Sequence, residues 1–207
     1  MTRIFLISAL VGCLLHGTAF AQSDEPYMEG ATGFVFPARI AKFHRAAVKE
    51  FPDKRLGVSI RYEGPGNAEV FVYDLGFPNI ATGIASEAVK EAFANSEASI
   101  QRLLTSKRAS DGKKFVESAP VVEMDGREAK LLAALYTWTL IGSDGRRDPM
   151  ATCILVTGVK NKIVKLLYTA PAPEPGSTQR DLKELVLGFL EANPKERGSF
   201  LVEKKAP

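Results

Sequence analysis

The side chains that most often do chemistry are scarce in this 207-residue chain, which has two cysteines, Cys13 and Cys153, and two histidines, His16 and His44. Zinc sites are usually assembled from three or four Cys and His ligands, so a transition-metal site here would have to lean on carboxylates, an uncommon arrangement. A Ser-His-Asp or Cys-His catalyst would have to use His44, whose neighbour Arg45 opposes protonation and suits a neutral imidazole at or near a surface. No Gly-x-Ser-x-Gly elbow, Walker loop or Gly-x-Gly-x-x-Gly turn occurs. Cys153 sits in the apolar run Met150 to Val156, where a thiol behaves as a small buried hydrophobe. As a nucleophile it would need a cation or a helix N-terminus to lower its pKa, and its remaining use is a disulfide between two chains. Asp74 could act as an acid or base only beside a second carboxylate, and Glu63 lies at the far end of the same predicted hairpin.

Charge offers more than nucleophiles do. Between Arg39 and Arg61 stand seven basic residues (Arg39, Lys42, Arg45, Lys49, Lys54, Arg55, Arg61) against two acidic ones, Glu50 and Asp53, with Phe43, His44 and Tyr62 interleaved or adjacent. Such a segment is either a solvated strand face or a basic, partly aromatic surface for anionic lipid headgroups, cell-wall polymer or an acidic partner. The candidate binding residues are Arg39, Lys42, Arg45, Arg61 and Tyr62. Arg146 and Arg147, in Gly142 to Pro149, read as a turn rather than an anion site. Trp138 alternates with Thr137 and Thr139 as a buried strand residue would, with a ligand platform as its other reading. The formal net charge of +3 is too slight to argue for nucleic acid, and no motif implies a cofactor.

The N-terminus says where the protein works. Arg3 precedes an almost wholly apolar run from Ile4 to Leu15, and Ala19-Phe20-Ala21 follows. This is the pattern of a secretory signal peptide cleaved after Ala21, too short to remain as a membrane span. A lipoprotein reading, with Leu10-Val11-Gly12-Cys13 lipidated at Cys13, would leave an unusually short signal. Cleavage after Ala21 removes Cys13 and His16, so the processed chain holds one cysteine and one histidine and forms no internal disulfide. The protein is then periplasmic or secreted.

The rest of the chain divides into a polar leader, residues 22–32, expected to be flexible, one domain over 33–193, and a tail over 194–207, expected to fray. Phe34 to Pro37 predicts a short strand. Residues 43–51 fit a helix face or a strand, and the strand is preferred because a hairpin follows: Leu56 to Glu63, a turn at Gly64-Pro65-Gly66-Asn67, then Ala68 to Leu75. If Glu63 pairs with Ala68, one face carries Val58, Ile60, Tyr62, Phe71 and Tyr73, the expected core, and the other Ser59, Arg61, Glu63, Val70 and Val72. From Ser86 to about Ser106, Val89, Phe93, Ser96, Ile100 and Leu103 recur at helical spacing behind a Ser86 cap. A turn at Asp111-Gly112 opens a meander: Phe115 to Met124, a turn at Asp125-Gly126, a long run from Arg127 to Ile141, Met150 to Thr157 and Ile163 to Thr169. The unalternating apolar stretches 131–135, 152–156 and 163–167 imply a sheet covered on both faces. After the stiff segment Ala170 to Gly176, a second helix capped by Ser177 or Thr178 buries Leu182, Leu185, Val186, Phe189 and Leu190.

This order of hairpin, long helix, meander and C-terminal helix, together with Gly57-Val58-Ser59-Ile60-Arg61-Tyr62 and Val70-Phe71-Val72-Tyr73-Asp74-Leu75-Gly76, resembles the Mog1/PsbP-like fold and exported proteobacterial proteins of that type. The resemblance spans about residues 33–193 and implies an α+β architecture in which helices sandwich an antiparallel sheet. It also implies a non-enzymatic binding or accessory role in the bacterial envelope, by analogy of fold alone. Two other functions stay open: a hydrolase with a carboxylate-based site that leaves no motif, and an immunity or inhibitor protein that binds through one exposed patch.

Overall fold

The computed structural model describes residues 24–118, 121–124, 127–172, 176–195 and 202–203. The expected signal segment, its cleavage point and Cys13 lie outside them, as does the Asp125-Gly126 turn. Alternating apolar residues build a long antiparallel sheet from β3 (Arg39–Ile40), β4 (Phe43–Glu50), β5 (Val58–Glu63), β6 (Asn67–Tyr73), β7 (Ala109–Ser118), β10 (Leu132–Ile141), β11 (Arg147–Val159) and β12 (Lys162–Pro171). The strands lie in the order β3-β4-β5-β6-β12-β11-β10-β7. Two smaller sheets flank it, β1 (Tyr27–Met28) with β2 (Val35–Phe36), and β13 (Val202–Glu203) with β9 (Arg127–Lys130) and β8 (Val121–Met124).

The helices α1 (Glu87–Leu104) and α2 (Ser177–Ala192) pack on opposite faces of the large sheet, because each strand sends alternate side chains to opposite sides. One core layer joins Ile60, Val70, Val164 and Leu166 to Leu185 and Leu190 of α2. The other joins Phe71, Ile154, Val156 and Ile163 to Val89, Phe93 and Ile100 of α1. The fold is therefore α+β, an antiparallel sheet sandwiched by two helices. The Ser86 hydroxyl accepts from the Val89 N–H and caps α1 as its sequence predicts. Segment 43–50 is a strand, and Trp138 and Cys153 are buried.

Several expectations change. In the β5-β6 hairpin Glu63 pairs with Asn67, not Ala68, so Val70 and Val72 join Val58, Ile60 and Tyr62, while Phe71 and Tyr73 turn to the α1 side. A one-residue slip in register reverses every side chain of a strand. The turn sets it, with the Gly64 N–H donating to the Gly66 carbonyl at 3.0 Å inside a three-residue loop, and Gly66 sits so close to β12 that a Cβ there would lie 2.6 Å from the Thr169 carbonyl oxygen. Asp111-Gly112 is not a turn but part of β7, where Asp111 takes φ of 56° and the pairing with β10 is irregular. The run from Arg127 to Ile141 breaks at Leu131, its two halves joining different sheets.

The N-cap of α2 is Gly176 in the left-handed region, with no side-chain cap, and Thr178 is buried instead. The leader is not free over its whole length. Tyr27 and Met28 pair with Phe36 and Val35, and the Glu29 carboxylate accepts hydrogen bonds from the backbone of Ala31 and from Thr32. In the tail, Val202 and Glu203 pair with Glu128 and Arg127.

Candidate binding site under the second helix

The sheet distributes the five basic and aromatic candidates rather than gathering them. Arg39 is exposed on β3. Lys42, in the β3-β4 turn, reaches α2, with its ammonium 2.8 Å from Asp181 and 3.4 Å from Glu184, and the Asp181 hydrogen bond raises its pKa. Arg45 is buried: its guanidinium donates to the Phe36 carbonyl and, at 2.5 Å, to the Glu25 carbonyl. Tyr62 is fully buried and donates to the Pro37 carbonyl at 2.8 Å. Burial, slightly offset by Arg45, drives its phenol well above the usual range. Arg61 is exposed on the opposite side of the sheet, 3.4 Å from Glu63. Burial takes Arg45 and Tyr62 out of any surface patch, because the chain before β3 presents the Glu25, Phe36 and Pro37 carbonyls to them. His44 is partly exposed, 3.8 Å from Glu63.

The concave feature that does form lies between α2 and the sheet. Tyr62, Val70, Val164 and Leu166 wall it from the sheet, Leu185 and Phe189 from α2, and Leu131 and Leu155 stand at intermediate exposure beside it. The cavity measures about 80 Å³. Its lining is apolar apart from the hydroxyls of Thr157 and Tyr62, both already used, the first donating to the Lys130 carbonyl at 2.9 Å and the second to that of Pro37. Nothing in the wall offers a free polar partner, so an occupant gains from leaving water rather than from hydrogen bonds.

The helix roof is anchored at its C-terminal end. The Asn193 amide accepts from Val35 N–H at 2.7 Å and donates to the Val35 and Phe189 carbonyls at 2.8 Å each. Gly188 lets the helix settle on β3, where a Cβ would fall 2.4 Å from Ile40 Cγ2.

Several other titratable groups are engaged in structure. Burial pushes the Cys153 thiol up to about 12, far from a thiolate at neutral pH. Lys162 lies 2.5 Å from Asp74; burial works to raise that carboxyl, and hydrogen bonds from Lys162 and the Gly76 N–H outweigh it and hold it low. Tyr136 donates to Glu97 at 2.6 Å, and burial with that carboxylate raises its phenol to about 12. Lys114 reaches Glu97 at 2.6 Å and also Glu117, and these carboxylates overcome the burial that opposes its charge. Among the described residues no group of three or more His, Cys, Asp or Glu is placed to hold a metal.

Sequence reasoning missed the cavity, since the stripe Leu185, Val186, Phe189 and Leu190 reads as ordinary core. It also missed Lys165, whose ammonium lies 4.2 Å from the Phe71 ring centre and 5.7 Å from that of Tyr73. Burial pulls its pKa down to about 8, with Glu69 acting the other way. A single charge inside the apolar run Ile163 to Leu167 is the signal that would have found it.

No family model and no curated protein matches the chain. Solved structures similar to it include a cyanobacterial protein and a yeast protein. Cyanobacterial PsbP (CyanoP) from Synechocystis is 10% identical, covering 85% of this chain and 96% of that one, with a TM-score of 0.44. The Ran-binding protein Mog1p of Saccharomyces cerevisiae is 13% identical, covering 86% and 93%, with a TM-score of 0.38.

Proposed function

We propose that this chain is an exported protein of the bacterial envelope that acts by binding, and that it takes the apolar end of a ligand or partner into the cavity beneath α2. One observation carries the binding half: a cavity of about 80 Å³ whose lining is apolar apart from two hydroxyls that are already bonded. An engineered apolar cavity of roughly 150 Å³ accepts benzene, so the smaller space here suits a few carbons, the end of an alkyl chain or one branched side chain. The groups that would serve a hydrolase, Asp74, Glu97 and Cys153, are held by Lys162, by Tyr136 and Lys114, and by burial respectively. The export half is supported by the charge of Arg3, the apolar run from Ile4 to Leu15 and the small residues at 19 and 21.

Titration of the methyl-labelled protein with 1-octanol, read by NMR, tests the binding half. Saturable shifts confined to Val164, Leu166 and Leu185 are expected, and they disappear in Leu166→Phe, which fills the space. Shifts spread evenly over surface methyls, or unchanged binding by a folded Leu166→Phe, would refute it. The export half is tested by N-terminal sequencing of the protein recovered from the cell envelope or medium, which should begin at Gln22.

A further inference from the structure

Another set of exposed cations lies away from the predicted basic segment. There the last turn of α1, the first residues of β7 and the β10-β11 turn meet. The Ile141 N–H donates to the Arg108 carbonyl at 2.9 Å. Arg147 donates to the Ser110 hydroxyl at 2.7 Å and lies 2.8 Å from Asp111, tying the β10-β11 turn to β7. Gly112 rests on Leu104, so close that a Cβ would lie 2.8 Å from its methyls. This places Arg102, Lys107, Arg108, Arg146 and Arg147 at one end of the sheet, with Lys113 further along the same edge strand, opposite Thr137, every one exposed.

The acidic residues of this end are already engaged. Asp111 holds Arg147, Asp148 holds Arg146 at 2.8 Å, and Asp144 accepts from the Arg146 N–H. Lys107, Arg108 and Lys113 have no acidic partner among the described residues. Beside Lys113, Phe115 is the most exposed large apolar side chain among the described residues, at 71% of its surface. It falls at an irregularity of the edge strand: Lys114 pairs with Tyr136 and Val116 with Leu135, leaving Phe115 unopposed. Such a bulge re-aims a side chain away from the ladder.

We propose that this end of the molecule and the edge strand β7 that runs from it dock on an anionic lipid surface, with Lys107, Arg108 and Lys113 meeting the headgroups and the Phe115 ring entering the interface. The aromatic ring decides between a bilayer and a soluble polyanion. Unpaired cations attract either, but an exposed phenyl loses water contact only where there is an apolar layer to enter. The surface is separate from the cavity under α2 and does not depend on it.

The test uses the processed protein, residues 22–207, since all described contacts fall within 24–203 and the apolar N-terminal segment would bind lipid by itself. It is sedimented with vesicles of phosphatidylglycerol and phosphatidylcholine in equal parts, with phosphatidylcholine alone, and in parallel titrated with polyglutamate. Binding to the anionic vesicles only, weakened by 0.5 M NaCl, is expected. Changing Lys107, Arg108 and Lys113 together to Gln should reduce partitioning about a hundredfold, and Phe115→Ser about tenfold, while polyglutamate binding is untouched by Phe115→Ser. All four positions are at the surface, so unchanged thermal melts are expected for both variants. No sedimentation with anionic vesicles at low salt, unchanged partitioning of the folded triple variant, or unchanged partitioning of Phe115→Ser overturns the proposal. Leu166→Phe, which closes the cavity, should sediment like the unaltered protein, so failure of either reading is told apart from failure of the other.

Discussion

Replacing Gly188 with alanine sets two effects of opposite sign against each other. In an exposed helix interior the change stabilises by about 1 kcal/mol through propensity alone. Here the new Cβ would stand 2.4 Å from Ile40 Cγ2 and 3.7 Å from Ile40 Cβ. Carbon atoms rest at roughly 3.5–4.0 Å, so the first contact is short by more than about 1 Å. Ile40 is buried, and its branched Cβ leaves few rotamers by which to turn away, so α2 must lift. Overpacking of this kind costs about 1–3 kcal/mol, and with an overlap this large the upper part of that range applies. The net effect is a loss of about 1–2 kcal/mol, read as a lower urea midpoint at constant slope by far-UV circular dichroism. Adding Ile40→Ala removes Cγ2 and leaves the Cβ contact at an ordinary distance, so the two substitutions should couple favourably by the relieved overlap, about 2–3 kcal/mol. A Gly188→Ala midpoint at or above that of the unaltered protein would refute the seating of α2 on β3, and with it the shape of the cavity.

Arg45→Met should destabilise by about 2–4 kcal/mol in the same assay, because it leaves the Phe36 and Glu25 carbonyls without their donor; an effect below about 0.5 kcal/mol would mean Arg45 is a surface residue. Asp74 has a folded pKa below its unfolded value, so its contribution is present above the ordinary carboxylate range and is lost as pH falls through the folded value. Asp74→Asn should therefore lower the urea midpoint at pH 7 and leave it unchanged near pH 2, and a constant deficit across that range would show that the Lys162 pair is not its source. In residues 22–207, which lack Cys13, Cys153, with its thiol pushed up to about 12, should react with Ellman's reagent only as fast as the protein opens, and immediately in strong denaturant; rapid labelling of that native protein would contradict its burial.

Much of the architecture was legible in the chain because it depends on local period. Val89, Phe93, Ser96 and Ile100 behind Ser86 define α1, and the unalternating apolar runs in β10, β11 and β12 announce a sheet covered on both faces. The candidate site was not legible in the same way. Arg45 and Tyr62 look like surface residues among basic neighbours, and nothing local says that the carbonyls of Glu25, Phe36 and Pro37 will close over them. The cations at 102–113 and 146–147 are well separated in sequence and become one surface only through the β7-β10-β11 pairing.

The sequence by itself determined the element order, the amphipathic faces of both helices and the scarcity of nucleophilic and metal-binding side chains, since each follows from residue type and short-range spacing. Tertiary structure decided which carbonyls close over Arg45 and Tyr62, and it decided where α2 rests, through Gly188 meeting Ile40. The cavity belongs to the second class: it is a gap between surfaces supplied by segments more than a hundred residues apart, and its size depends on how closely their backbones approach, which no local pattern of side chains records.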